Sequence, residues 1–150
     1  MEREVYKVER GEEDFVYWFY SEGLRGSIRK IVRFQPTPEF GRNVFNLSFG
    51  DWNSITREID DQVVSNNGDQ LKVLKTVAKA VVDFVNFWPD AIIRVKGSTP
   101  SRTRLYQMGM ASFWLEINMG FEIWGEVGND WFPFEKGVNY NRFLIFKKIE

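Results

Sequence analysis

Residues 71–88 constrain the chain more than any other stretch. Leu71, Leu74, Ala78, Val81, Val85 and Trp88 recur at helical spacing, and Val73, Val77, Phe84 and Phe87 widen the same apolar stripe. A stripe that wide must be buried against another surface. Strands on either side can supply it. Phe45, Leu47 and Phe49 share one face of an alternating segment at 44–49, and Ile93 and Val95 share one face of a β-branched segment at 91–96. Pro89 and Asp90 separate the helix from that second strand. A helix between two strands reads as a crossover, which places the strand at 91–96 near the centre of a sheet. Lys72, Lys75 and Lys79 lie on the other side of the helix and read as a solvated face.

The rest of the chain is mostly strand-like. Phe15-Val-Tyr-Trp-Phe-Tyr20 and Ser27-Ile-Arg-Lys-Ile-Val-Arg-Phe34 flank a turn-rich segment and read as an antiparallel hairpin, with Ile28, Val32 and Phe34 on one face and Pro36 and Pro38 at its end. Residues 4–9 can add an edge strand. Alternation returns at 121–127 and 143–149, with a turn at Gly128-Asn-Asp130. A second helix is predicted from Pro100 to about Asn118, weakened by Gly109. Residues 50–68 are too long for a structureless loop in a compact domain, so a short strand at 62–65 or a functional segment is expected there. The order β-β-β-α-β-α-β-β describes a single α+β domain over 1–150, with a mixed, mostly antiparallel sheet and two main helices.

Composition removes whole classes of chemistry. The chain contains no histidine and no cysteine, so cysteine nucleophiles, Ser–His triads, disulfides and Cys/His zinc sites are impossible. A general base must be Asp, Glu, Lys, Tyr or a positioned water. Formal net charge is −1, which gives nucleic-acid binding no global electrostatic support. The first residues form no apolar signal core, and no apolar run is long enough to span a bilayer. A soluble cytoplasmic protein with no membrane contact is the expectation.

The clearest chemical signal is Ala91–Tyr106. It reads as strand, small-residue turn and capped helix, with Thr99 as N-cap and Pro100 at the first helical position. Unpaired N–H groups and the positive end of the helix dipole suit a phosphate or carboxylate there. Lys96, Ser98, Thr99, Arg102 and Arg104 are the candidate anion-binding residues. The same residues also describe a well-capped surface helix with solvated arginines. Arg102 and Arg104 are two apart, so both need not face one ligand.

Two resemblances follow from these residues. The stretch Asn67–Met110 resembles the core of the GNAT acyltransferase fold, and Leu105-Tyr-Gln-Met-Gly-Met110 is similar to that family's second helical element. The resemblance implies coenzyme A or acetyl-coenzyme A as cofactor, Tyr106 as the general acid, and Asn66, Asn67 and Gly68 at the pyrophosphate loop. That loop usually reads Arg/Gln-x-x-Gly-x-Gly/Ala, whereas this chain has Ser65-Asn-Asn-Gly-Asp-Gln70, which would set Asp69 beside the phosphates. Over nearly its full length the chain also resembles a small bacterial family without established function. The segments that carry this are Phe49-Gly-Asp51, Ile59-Asp-Asp61, Ser65-Asn-Asn-Gly-Asp69 and the Gly97–Tyr106 stretch.

Two further features bear on function. Asp51, Glu58, Asp60, Asp61 and Asp69 flank the difficult loop, where carboxylates could converge on magnesium, cap turns, or pair with Arg102 or Arg104. Trp52, Trp114, Trp124 and Trp131 are expected mainly in the core, with Trp131-Phe-Pro-Phe134 the best exposed aromatic candidate. Three functions are thus compatible with the sequence: a module for a phosphate-bearing small molecule, a GNAT-like acyltransferase, and a protein-interaction or assembly domain.

Overall fold

A computed structural model describes residues 5–11, 15–38, 43–60, 67–112 and 120–148. Strand β1 covers Glu9–Arg10, β2 Val16–Gly23, β3 Gly26–Thr37, β4 Val44–Asn53 and β5 Glu58–Asp60. Helix α1 covers Gln70–Phe87 and is followed by β6 at Ile92–Val95 and helix α2 at Pro100–Ser112. Strands β7 (Phe121–Val127), β8 (Asp130–Pro133) and β9 (Phe143–Lys147) complete the described residues. The expected α+β class and the order of the main elements are present. Of the edge strand expected at 4–9, the described residues hold only β1 at Glu9–Arg10, and β5 and β8 are short additions.

The strands form one mixed sheet in the order β1-β2-β3-β4-β6-β9-β7-β8, with β5 attached to β4. β4 and β6 are parallel, joined through α1, and the other pairs are antiparallel. Only three register pairs hold β6 to β4, the last being Asn46↔Arg94. β3 pairs the opposite edge of β4 from Val44 to Asp51. The edge of β4 that meets β6 therefore runs on past Asn46, and meets β5 only from Asp51 onward. Between them, Leu47–Gly50 have no strand neighbour on that edge among the described residues.

Both helices cover one face of the sheet. Tyr17, Phe19, Val32, Phe34, Leu47 and Ile93 point from the strands into the core beneath them. α1 contributes Val77, Val81, Phe84 and Val85, and Phe84 stacks on Phe34 with ring centroids 4.1 Å apart. The stripe drawn from spacing alone is too wide at its ends. Leu71 is 49% exposed, and Phe87 and Trp88 are exposed, their rings contacted from outside the helix by Arg10 and Phe15 respectively. The lysines opposite are half-buried and engaged rather than simply solvated. Lys72 sits 4.1 Å over the Tyr6 ring, and Lys79 pairs with Asp83 at 3.0 Å.

Several local expectations change. The region after β4 contains β5, formed because β4 continues to Asn53 and a turn at 54–57 folds the chain back on it. The suggested strand at 62–65, together with Asp61, Asn66 and Trp114, lies outside the described residues. The hairpin strand does not stop at Pro36, because β3 runs through it to Thr37 and pairs Pro36 with Phe45. Gly109 does not weaken a free helix. A Cβ there would lie 3.0 Å from Leu74 Cβ, so glycine lets α2 press against α1. The Trp131–Phe134 segment divides: Phe132 is 47% exposed, Phe134 is buried, and Trp131 packs under the Arg142 guanidinium at 5.3 Å.

Candidate ligand cavity at the helix starts

The β6–α2 junction is built by a close backbone approach. A Cβ at Gly97 would lie 2.5 Å from the Thr103 nitrogen, so only glycine fits. The Gly97 N–H donates to Thr103 Oγ1 at 3.0 Å, and the Thr103 N–H donates to the Thr99 carbonyl at 3.1 Å. Thr99 is the N-cap read from the sequence: its Oγ1 accepts from the Arg102 N–H at 3.2 Å. The backbone start of α2 is thereby fixed.

α1 begins differently. Asp69 stands at its N-cap but makes no side-chain cap bond. Its Oδ2 accepts instead from the Tyr6 hydroxyl at 2.6 Å and from Ser21 Oγ at 2.5 Å. Burial and the hydrogen bond to Asp69 together raise the Tyr6 phenol above its usual pKa range. Asn67, nearly inaccessible, holds the β2–β3 turn. Its amide donates to the Gly26 carbonyl and Ser21 Oγ, both at 3.0 Å, and its Oδ1 accepts from the Arg25 N–H at 2.6 Å. Gly68 follows with φ +79°, a conformation that favours glycine.

These two helix starts border one cavity of about 760 Å³. That volume is in the range of small-molecule sites. The α1 side presents Asn67, Gly68, Asp69 and Leu71, and the α2 side presents Ser98, Thr99, Arg102 and Tyr106. The sheet contributes Phe49, Gly50, Lys30 and Asp51 from the part of β4 beyond its pairing with β6 and from the neighbouring β3. Tyr106 is 7% exposed, lies on this wall, and packs edge-on to Phe49 at 6.3 Å between ring centroids.

The structure therefore brings Ser98, Thr99, Arg102, Tyr106, Asn67 and Gly68 to one cavity. Lys96 is exposed and does not line it. Arg104 points elsewhere, donating from Nη1 to the Tyr140 carbonyl at 2.6 Å. Two positions on a helix are about 200° apart around its axis, so the two arginines diverge. Asp69, expected to oppose phosphates, directs Oδ2 at two hydroxyls. The acidic residues do not converge on a metal site: no group of three suitable ligands occurs among the described residues.

Sequence reasoning missed Lys30. It pairs with Asp51, its register partner across β3 and β4, and the two side chains are only 6% and 16% exposed. A signal was present. Lys30 falls in phase with Ile28, Val32 and Phe34, so a charged residue occupied an inward position of an apolar strand face.

The arrangement defines an α+β domain with a cavity lined in part by the stretch of β4 that runs on past its parallel pairing with β6. A family model matches residues 2–148, and the chain belongs to DUF6934, a family of unknown function. No curated protein and no solved structure matches the chain. No helix among the described residues is long and apolar enough to cross a membrane.

Proposed function

We propose that this domain binds a phosphate-bearing or similar anionic ligand in the cavity between the starts of α1 and α2. One observation carries the reading: two helix N-termini and the Arg102 side chain border the same cavity, whose remaining walls are largely apolar. Helix N-termini offer unpaired N–H groups and a positive potential, and a partly desolvated cavity strengthens both. Thr99 caps α2 through the Arg102 N–H, and Asp69 leaves the first-turn N–H groups of α1 without a side-chain cap. An anion is the natural partner for what remains.

A second reading has its own support. Tyr106 stands on the wall beside Phe49, and Leu47–Gly50 form a strand edge without a strand neighbour among the described residues. An acyl thioester of coenzyme A lying along that edge would bring its sulfur within the cavity, with Tyr106 as proton donor to the leaving thiolate. This acyltransferase reading requires the anion site and adds a reaction to it.

Thermal-shift and calorimetric titrations of the purified chain test both. The ligands are coenzyme A, acetyl-coenzyme A, nucleotides with and without magnesium, and short oligonucleotides. A ligand at 100 times its dissociation constant stabilises the fold by about 2.7 kcal/mol. The proposal expects such a shift with at least one phosphate-bearing small molecule and its loss in Arg102→Ala. Binding of coenzyme A, with acyl transfer lost in Tyr106→Phe, would establish the second reading. No shift with any of them would end both.

A further inference from the structure

The Lys30–Asp51 pair lines the same cavity as the two helix starts. A buried ion pair is costly to desolvate and stabilises a fold little, if at all, compared with apolar residues of similar volume. Core packing therefore gives no reason for it on a strand face that is otherwise apolar. Lys30 donates to Asp51 Oδ1. Asp51 Oδ2 takes no hydrogen bond from the described residues, and it is not sealed from solvent. Phe49 and Tyr106 stand beside it on the cavity wall.

We infer that Asp51, neutralised by Lys30, is a second recognition point in the cavity, and that it accepts a hydrogen bond from an uncharged donor on the ligand, an amide N–H or a hydroxyl. This rests on the cavity being the ligand site, and it specifies what the end of the ligand remote from the anion must be. The charge balance selects the neutral donor. Among the described residues, the charged side-chain types on the wall are Lys30, Arg102, Asp51 and Asp69, two of each sign. Asp60 faces Asp51 across β4 and β5 but does not line the cavity. A second carboxylate at Asp51 would meet like charge. An ammonium would compete with Lys30 for the same oxygens. A neutral donor satisfies Oδ2 and leaves the existing pair intact. The ligand class is thus an anion linked through an apolar or aromatic segment to an amide or hydroxyl.

Protein-observed NMR on the full chain tests this with four simple compounds of one chain length: hexanamide, hexanol, hexanoate and hexylamine. In the wild type, hexanamide and hexanol should shift the resonances of Phe49, Asp51 and Tyr106 and bind about tenfold more tightly than hexanoate. In Asp51→Asn, which removes the Asp51 charge beside Lys30, hexanoate should rise in the ranking, and in Lys30→Met the carboxylate of Asp51 without Lys30 should raise hexylamine. Either single variant can unfold by leaving a buried charge unpaired, so Lys30→Met/Asp51→Leu is the control. It should stay folded and lose the preference for hexanamide and hexanol at Phe49 and Tyr106, while hexanoate bound at the helix starts is read separately at the Ser98–Arg102 amides. Equal affinities in the wild type, no shifts at these residues, or a ranking in the double variant that matches the wild type would overturn the inference. Inorganic pyrophosphate, read at the Ser98–Arg102 amides, reports separately on the anion site. Loss of one response without the other shows which reading fails.

Discussion

Helices α1 and α2 open onto the same cavity and are held in place by different balances of burial and hydrogen bonding. α1 is fastened by burial: Val77, Val81, Phe84 and Val85 sit in the core, and such contacts are non-directional. α2 is fastened by polar geometry. Thr103 accepts from the Gly97 N–H, Arg104 donates to the Tyr140 carbonyl, and Gln107 Nε2 donates to the Val138 carbonyl. Its buried side chains include Thr103 and Gln107 beside Tyr106 and Met110. Hydrophobic burial sets where a helix lies within some tolerance. Hydrogen bonds and a glycine-only backbone approach set its position and rotation closely, and a site helix needs the second kind of fastening.

This contrast can be broken at either helix. The largest effect belongs to α1. Phe84→Ala should cost about 3–5 kcal/mol through the cavity it leaves against Phe34, measured by urea unfolding. Enough of the remaining fold should persist near neutral pH for its ligand affinity to stay close to wild type. Gly97→Ala is the corresponding change at α2. The added Cβ would press on the Thr103 nitrogen and on Arg102 Cβ 2.6 Å away, costing about 2–3 kcal/mol and displacing the helix start. Ligand binding should fall much more than in Phe84→Ala, and equal losses in the two variants would contradict the division of labour.

The two arginines sharpen the comparison within α2. Arg104→Ala removes a charge-assisted bond to Tyr140 and should cost about 1.5 kcal/mol in stability, with ligand affinity unchanged. Arg102→Ala should reverse that pattern in binding, abolishing the response to phosphate-bearing ligands that Arg104→Ala leaves intact. The smallest effect concerns the start of α1. The Tyr6 phenol is raised by burial and by its bond to Asp69, so the folded state keeps this proton to higher pH than the unfolded chain. Its contribution is complete below the ordinary phenol value, near pH ~10, and is lost as pH rises through the folded value. Above pH ~10, unfolding midpoints of the wild type should fall more steeply than those of Tyr6→Phe.

Legibility followed the same contrast. The core of α1 could be read because burial repeats with the helical period, although the ends of its stripe could not. Leu71, Phe87 and Trp88 keep the right spacing but stay exposed. Thr99 and Gly97 were legible because caps and turns are local chemistry. Arg102 and Arg104 were indistinguishable in the sequence, since the partner of Arg104 is a carbonyl 36 residues away. The role of Asp69 was illegible for a similar reason: Tyr6 and Ser21 reach its carboxylate from distant segments.

The sequence by itself determined the α+β class, the order of the main elements, the crossover that makes β4 and β6 parallel, and the exclusion of cysteine and histidine chemistry. Each depends on composition or on a period repeated along a short stretch, which local sterics and burial dictate. The tertiary structure alone decided that β4 outruns β6, that both helix starts border one cavity, that Arg104 leaves it, and that Lys30 meets Asp51 on its wall. Those outcomes depend on strand register and helix rotation, where a shift of one residue moves a side chain to the opposite face.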